Sequence, residues 1–174
     1  MISLSYSPAY DPYHTIFRNL VLLEIEDIRP LEVEAVRILD FYICFPQLVG
    51  EFRADKKIEG QTKKKNLVEK NYVRTRYNLT PPSSVLFYKM KPTQFAALSA
   101  LSGAGYVDKD TFRAGRVQRS SMGLSDELSV LVEGFLEKHS ELIEFIKSIS
   151  NIQLYGSNGL KSRSELLEAR YDNV

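Results

Sequence analysis

The chain has 174 residues, a single cysteine, no tryptophan and a formal net charge of +1 from 23 basic and 22 acidic side chains. This length suits one domain that buries roughly 70% of the surface exposed by the unfolded chain, so a core forms without disulfides. One cysteine excludes an intramolecular disulfide and a Cys-rich zinc site, and favours a reducing compartment. Because neither a signal-like N-terminus nor a run of roughly 20 apolar residues is found, we expect a cytoplasmic protein.

A turn-rich opening leads into the first predicted helix. Asp11 followed by Pro12 is typical of an N-cap and a first-turn proline, so we expect a helix from residue 13 to about residue 26. Apolar residues recur in it at three- and four-residue spacing and predict one buried stripe. His14 lies in the first turn with no second ligand nearby, so we interpret it as structural rather than as a metal ligand or a base.

The most strongly patterned stretch is the helix predicted for residues 31–44. Pro30 precedes it, acidic residues fill its first turn, and Pro46 ends it. Its four charged residues predict one partly solvated side, whereas residues 41–45 are apolar on every side and need cover all round. We therefore expect the C-terminal half of this helix at the centre of the core.

Residues 53–66 are polar and basic and predict an exposed loop. Between residues 53 and 76, nine Lys or Arg against three acidic residues give a net charge of +6. A solvated loop is the simpler interpretation, and contact with phosphates or with an acidic protein surface is the alternative. The alternating residues 72–77 predict either a short strand or a helix end.

The middle of the chain reads as a small α and β unit. Residues 85–88 predict a short strand, and residues 92–103 predict a helix that stops at Gly103 or Gly105. Extended segments at 106–108 and 112–119, on either side of a polar turn, are typical of the third helix and wing of a winged-helix domain. This unit and the preceding helices form the predicted winged-helix-like domain, residues 1–120.

The last part, residues 121–174, is predicted to be a helical extension. Ser125 caps one long amphipathic helix running to about residue 150, whose net charge is −4, and a short last helix is expected at 164–170. His139 falls on or beside its apolar stripe and is interpreted as a core or interface residue. The predicted fold class is therefore mainly α with a small β element.

Catalytic and cofactor signatures are missing from the sequence. Two distant histidines do not make a metal motif, and Gly103-Ala104-Gly105 lacks the further residues of a phosphate-binding loop. Cys44 has apolar neighbours, which predict a raised rather than a lowered thiol pKa. We therefore expect no cofactor and no enzymatic activity, although an enzyme subunit completed by a partner stays an alternative.

Two regions of the chain resemble a known family. The matching runs are SPAYDPYHTIFR at 7–18, PLEV at 30–33, RILDFY at 37–42, Phe45-Pro46, FAAL at 95–98 and GYV at 105–107. They are similar to the middle components of three-component ABC ATPase conflict systems, which include Lamassu-type anti-phage defence. The resemblance implies a non-catalytic winged-helix adaptor that joins an SMC- or Rad50-like ATPase to an effector, often a nuclease.

Two sets of contact residues follow from this interpretation. The predicted partner contacts are Tyr10, Tyr13, Phe17, Leu131, Phe135 and Ile143. The predicted contacts with DNA or an acidic surface are Lys63, Lys64, Lys65, Arg74, Arg76, Arg113, Arg116 and Arg119. The alternative function is a free-standing winged-helix DNA-binding protein, but residues 92–103 contain no Arg or Asn for bidentate base recognition.

Overall fold

The computed structural model describes residues 7–25, 28–73 and 81–166. In these ranges the elements are a 3-10 helix Pro8–Tyr10, α1 Pro12–Glu24, β1 Leu31–Glu32, α2 Val33–Cys44, a second 3-10 helix Pro46–Glu51, α3 Gln61–Asn71, α4 Ser83–Ala104, α5 Lys109–Arg113, β2 Arg116–Val117, α6 Asp126–Lys138, α7 Ser140–Ser150 and α8 Leu160–Ser164. The chain is mainly helical with one small two-stranded sheet, as predicted. None of the described helices has the length and apolar content needed to cross a bilayer.

Helix α2 is the centre of the core, which confirms the prediction. Its residues Ile38, Leu39 and Phe41 are fully buried, and α1, α4, α7 and α8 all pack against it. Edge-to-face aromatic contacts extend this core from Phe41 to Phe87 and from Tyr42 to Phe52 and Phe145. Such contacts add stabilisation beyond the burial of apolar area.

The prediction of a solvated side for this helix is wrong for two of its four charged residues. Arg37 and Asp40 are both buried, because each finds polar partners on neighbouring helices. The helix also begins two residues later than predicted. Leu31 and Glu32 form β1, which pairs antiparallel with β2 through Leu31 opposite Val117.

The helix ends predicted from local capping residues are found in the structure. The Asp11 carboxylate accepts a hydrogen bond from the His14 N–H at 3.0 Å, and α1 starts at Pro12. Ser125 caps α6 by accepting from the Leu128 N–H. Gly105 ends α4 with φ +91°, a left-handed conformation that glycine adopts without the Cβ clash of other residues.

The middle of the chain is more helical than predicted. The strand expected at 85–88 is wrong, because these residues form the first turns of α4. Leu86, Phe87 and Met90 are buried at helical spacing, so tertiary packing offsets the interior Pro92 that was taken as a helix start. The loop expected at 53–66 is also wrong from residue 61 onward, where α3 begins.

The predicted wing is partly helical. Asp108 caps α5 by accepting from the Thr111 N–H at 2.8 Å, so the extended run expected from residue 112 starts only at β2. A bridge between Val107 and Arg119 closes the loop that carries α5. The residues 72–77, predicted as a strand or a helix end, begin with the C-cap of α3 at Tyr72, and residues 74–80 lie outside the described ranges.

The single long helix at 125–150 is wrong, because it breaks at His139 into α6 and α7. The Tyr72 hydroxyl contacts His139 Nδ1, and Phe135 packs on the imidazole with ring centroids 4.3 Å apart. The last helix, α8, ends at Ser164, the residue at which the sequence predicted it to start. Residues 167–170 of the predicted helix lie outside the described part of the chain. The domain division at residue 120 stays a prediction.

Candidate partner-binding surfaces

A buried polar network holds α1, α2 and α4 in register. Asp40 accepts from Arg18 Nε at 2.6 Å and from Gln94 Nε2 at 2.8 Å, and Gln94 in turn accepts from Arg37 Nε at 2.9 Å. Burial alone lowers the pKa of Arg18, but the charge and hydrogen bond of Asp40 outweigh it and raise this pKa. The network therefore fixes which side of α4 faces the core.

The opposite side of α4 is also mostly apolar, and its side chains are exposed in the described structure. The residues at helical spacing on this side are Val85, Tyr88, Pro92, Phe95, Ala96, Ser99 and Gly103, here called the α4 face. Tyr88 is 65% exposed, and Val85 and Phe95 are also exposed. A helix that is apolar on two opposite sides normally has cover on both, so the α4 face is a candidate surface for another protein.

The rim of the α4 face is basic. Lys89 and Lys91 are exposed beside it, and the Lys91 ammonium lies 6.0 Å from the centre of the Phe95 ring. The first 3-10 helix and α1 both pack against α4 and carry the exposed side chains Tyr10 and Tyr13. An apolar centre with aromatic residues and a charged rim is the usual composition of a protein-binding surface.

The six predicted partner residues divide between surface and core. Tyr10, Tyr13 and Leu131 are exposed. Phe17 and Phe135 contact each other edge to face at 5.8 Å, and join α1 to α6. Ile143 is only 8% exposed and belongs to the hydrophobic core, and the role of these six residues as partner contacts stays a prediction. The sequence did not indicate the α4 face, because α4 has apolar residues on both of its sides and so shows no contrast between a buried and a solvated side.

The predicted DNA contacts are also divided. Each of the three wing arginines has a partner in the chain, since Arg113 pairs with Asp110, Arg116 donates to the Pro30 carbonyl, and Arg119 pairs with Glu24. On α3, Lys64 pairs with Glu144 at 3.0 Å. Lys63 is exposed and Lys65 half-buried on the same helix. Arg74 and Arg76 lie outside the described ranges.

Three further observations bear on the chemistry of the chain. Burial raises the pKa of the Cys44 thiol to about 12, so this group is protonated at neutral pH. Within the described ranges, no three His, Cys, Asp or Glu side chains are close enough to hold a metal ion. A cavity of about 180 Å³ lies between α1, α2 and the sheet, and the buried Oδ1 of Asn19 beside it has no hydrogen-bond partner among the described residues.

The comparisons with known proteins place the chain in a family. Its class is that of the middle components of three-component systems built with an ABC ATPase. The family model for the ABC-three-component (ABC-3C) system Middle Component 5 matches residues 4–172, so the chain belongs to that family. A middle component implies an ABC ATPase and an effector as partner components. No curated protein and no solved structure matches the chain.

Proposed function

We propose that this protein is a non-catalytic adaptor that links an SMC- or Rad50-like ABC ATPase to an effector of the nuclease type. The complex would act in the bacterial cytoplasm in defence against phages or plasmids, as Lamassu-type systems do. Family membership supports the adaptor role. The Cys44 thiol, protonated at neutral pH, is a poor nucleophile, which favours a binding function over catalysis.

The observation that carries the proposal is the α4 face. It extends over residues 85–103, about 27 Å at 1.5 Å per residue, which is long enough to receive a partner helix of five turns. Its rim carries Lys89 and Lys91, so the partner segment should place acidic residues around an apolar centre. We propose that one of the two partner components binds here.

The fold proposed for this adaptor is winged-helix-like. The supporting features are the chain order α1, β1, α2, α4 and β2, the pairing of β1 with β2, and the bridge between Val107 and Arg119. The third long helix of such a unit would be α4. Because its outer face is apolar and contains no Arg or Asn, protein binding is favoured over base recognition.

The proposal is tested by adding charge to the α4 face. In the double variant Tyr88→Glu and Ala96→Glu, two carboxylates would be buried against the partner, so we expect at least a tenfold loss of the ATPase or the effector in co-purification. The melting temperature is measured beside the co-purification, to show that the double variant keeps its fold.

The matched control is Tyr155→Glu. Tyr155 is 66% exposed, as Tyr88 is, but lies in the loop between α7 and α8. This variant should retain both components. Wild-type recovery of both components by the α4 double variant would contradict the proposed role of the α4 face.

A further inference from the structure

The outward side of α6 is a second helix face whose apolar side chains are exposed in the described structure. Val130 is 68% exposed and Leu131 is 59% exposed. Glu127 lies one turn before this pair and Gly134 one turn after it, on the same side of the helix. These four residues are here called the α6 face. On the inward side, Val132 is the one residue of this fully described helix that is completely buried. Among the described residues, the side chains of Val130 and Leu131 are therefore left largely exposed.

Gly134 is the residue that the fold itself does not require. Glycine inside a helix is about 1 kcal/mol less favourable than alanine, because it loses more backbone freedom on folding. In the described structure, nothing outside the α6 backbone lies within 4 Å of the Cβ that alanine would add. The space over Gly134 therefore leaves room for another backbone to approach the helix closely.

The charge around the α6 face selects the partner. The exposed charges of α6 are Asp126, Glu127, Glu133, Glu137 and Lys138, which sum to −3. An acidic segment on this surface would bring like charges together, and a basic segment would complement them. The α4 face has the opposite rim, with Lys89 and Lys91, so one segment does not suit both faces.

We propose that the α6 face is a second docking surface, which receives an amphipathic helix whose apolar stripe is flanked by Lys or Arg. The backbone of that helix packs close to Gly134, and the helix belongs to the partner component that does not bind the α4 face. This inference rests on the proposed adaptor function. It adds that the two components bind to separate helices, α4 and α6, which both pack against α1.

The test uses the full chain with the ABC ATPase component and the effector component of its own system, each alone and both together. In Gly134→Ala, a methyl group blocks the close approach while the helix becomes more favourable. We expect a higher denaturant midpoint and at least a tenfold loss of affinity for one component. Leu131→Ser should weaken binding of that same component, and added salt should weaken it in the wild type.

The control is Gly103→Ala, which adds the same methyl group to an exposed helical glycine with no described neighbour within 4 Å, but on the α4 face. It should leave the component bound by α6 unaffected. The double variant Tyr88→Glu and Ala96→Glu should also retain that component. Its retention there, together with its loss in Gly134→Ala, supports docking at the α6 face even if the α4 face proves to bind nothing.

Three outcomes overturn the inference. One is wild-type affinity of Gly134→Ala for both components. Another is loss of the same component by the α4 and α6 variants, since that would mean a single partner. The third is concentration-dependent self-association of the wild-type chain that Gly134→Ala abolishes in sedimentation, because the occupant would then be a second copy.

Discussion

Asp40 is a fully buried carboxylate that joins three helices. It lies on α2, pairs with Arg18 on α1 and accepts from Gln94 on α4. A sequence shows that such a residue is charged, but not which distant residue will reach it. For this reason the periodicity around Asp40 predicted a solvated side, whereas its partners are 22 and 54 positions away along the chain.

Replacing Asp40 should destabilise the fold. In Asp40→Asn, the buried Arg18 guanidinium loses its counter-charge, and breaking a buried pair in this way typically costs about 3–5 kcal/mol. Urea unfolding measures the difference. The control is Asp110→Asn, which removes an exposed pair with Arg113 and should change the free energy of unfolding by less than about 1 kcal/mol. Equal stability of both variants would contradict a role for the network in joining the helices.

His139 should make stability depend on pH. Burial lowers its pKa, and Lys138 adds to this effect against the opposing charge of Glu141. The unfolded chain therefore takes up a proton first as the pH falls through about 6.5, and the folded state loses stability below that pH. When the pH is lowered from 8 to 5, the melting temperature of His139→Gln should fall less than that of the wild type. An equal fall in melting temperature for the variant and the wild type would exclude His139 as the source of the pH dependence.

At the scale of elements, local signals were predictable and distant ones were not. Asp11, Ser125 and Gly105 act through their own neighbours in sequence. The caps at Asp11 and Ser125 were predicted correctly, and Gly105 is one of the two glycines predicted to end α4. The start of β1 depends on β2, which lies more than 80 residues later. At the break, His139 contacts Tyr72 from the end of α3, which lies 67 positions away along the chain. The uncovered face of α4 depends on which side the core uses, and no local pattern shows that.

The two sides of α6 should respond differently to charge. Phe135 packs against Phe17 and His139, so Phe135→Asp buries a carboxylate and should lower the free energy of unfolding by at least about 2 kcal/mol. Leu131→Asp, on the exposed side, should melt within a few degrees of the wild type and act only on partner binding. Unfolding of Leu131→Asp would contradict its position on the surface.

At the scale of the whole molecule, charge is segregated by element. The basic residues cluster on and around α3, and the acidic ones on α6 and α7, where Glu144 pairs with Lys64. The sequence predicted this asymmetry because the charge of each segment is summed directly from its residues. It did not predict that part of the basic segment is helical and bound to the acidic one, since that depends on the packing of α3 against α7.

The remaining basic residues of α3 are testable as a DNA contact of the assembled complex. Lys63→Gln with Lys65→Gln should lower DNA affinity alike for all sequences and reduce the salt slope by up to about two phosphate contacts. The melting temperature should stay nearly constant, because Lys63 is exposed and Lys65 only half-buried. Filter binding over a salt series provides the measurement. An unchanged slope would leave these lysines as solvent-facing charges or as part of a protein interface.

The packing of α3 against α7 has a consequence for synthesis on the ribosome. Val68 of α3 is fully buried, yet α7 follows about 70 residues later, a delay on the order of ten seconds at typical translation speeds. During that interval α3 emerges without the helix that covers it. The nascent chain must therefore wait for its C-terminal part before this region closes, and premature termination ahead of residue 140 should yield a product prone to aggregation and proteolysis.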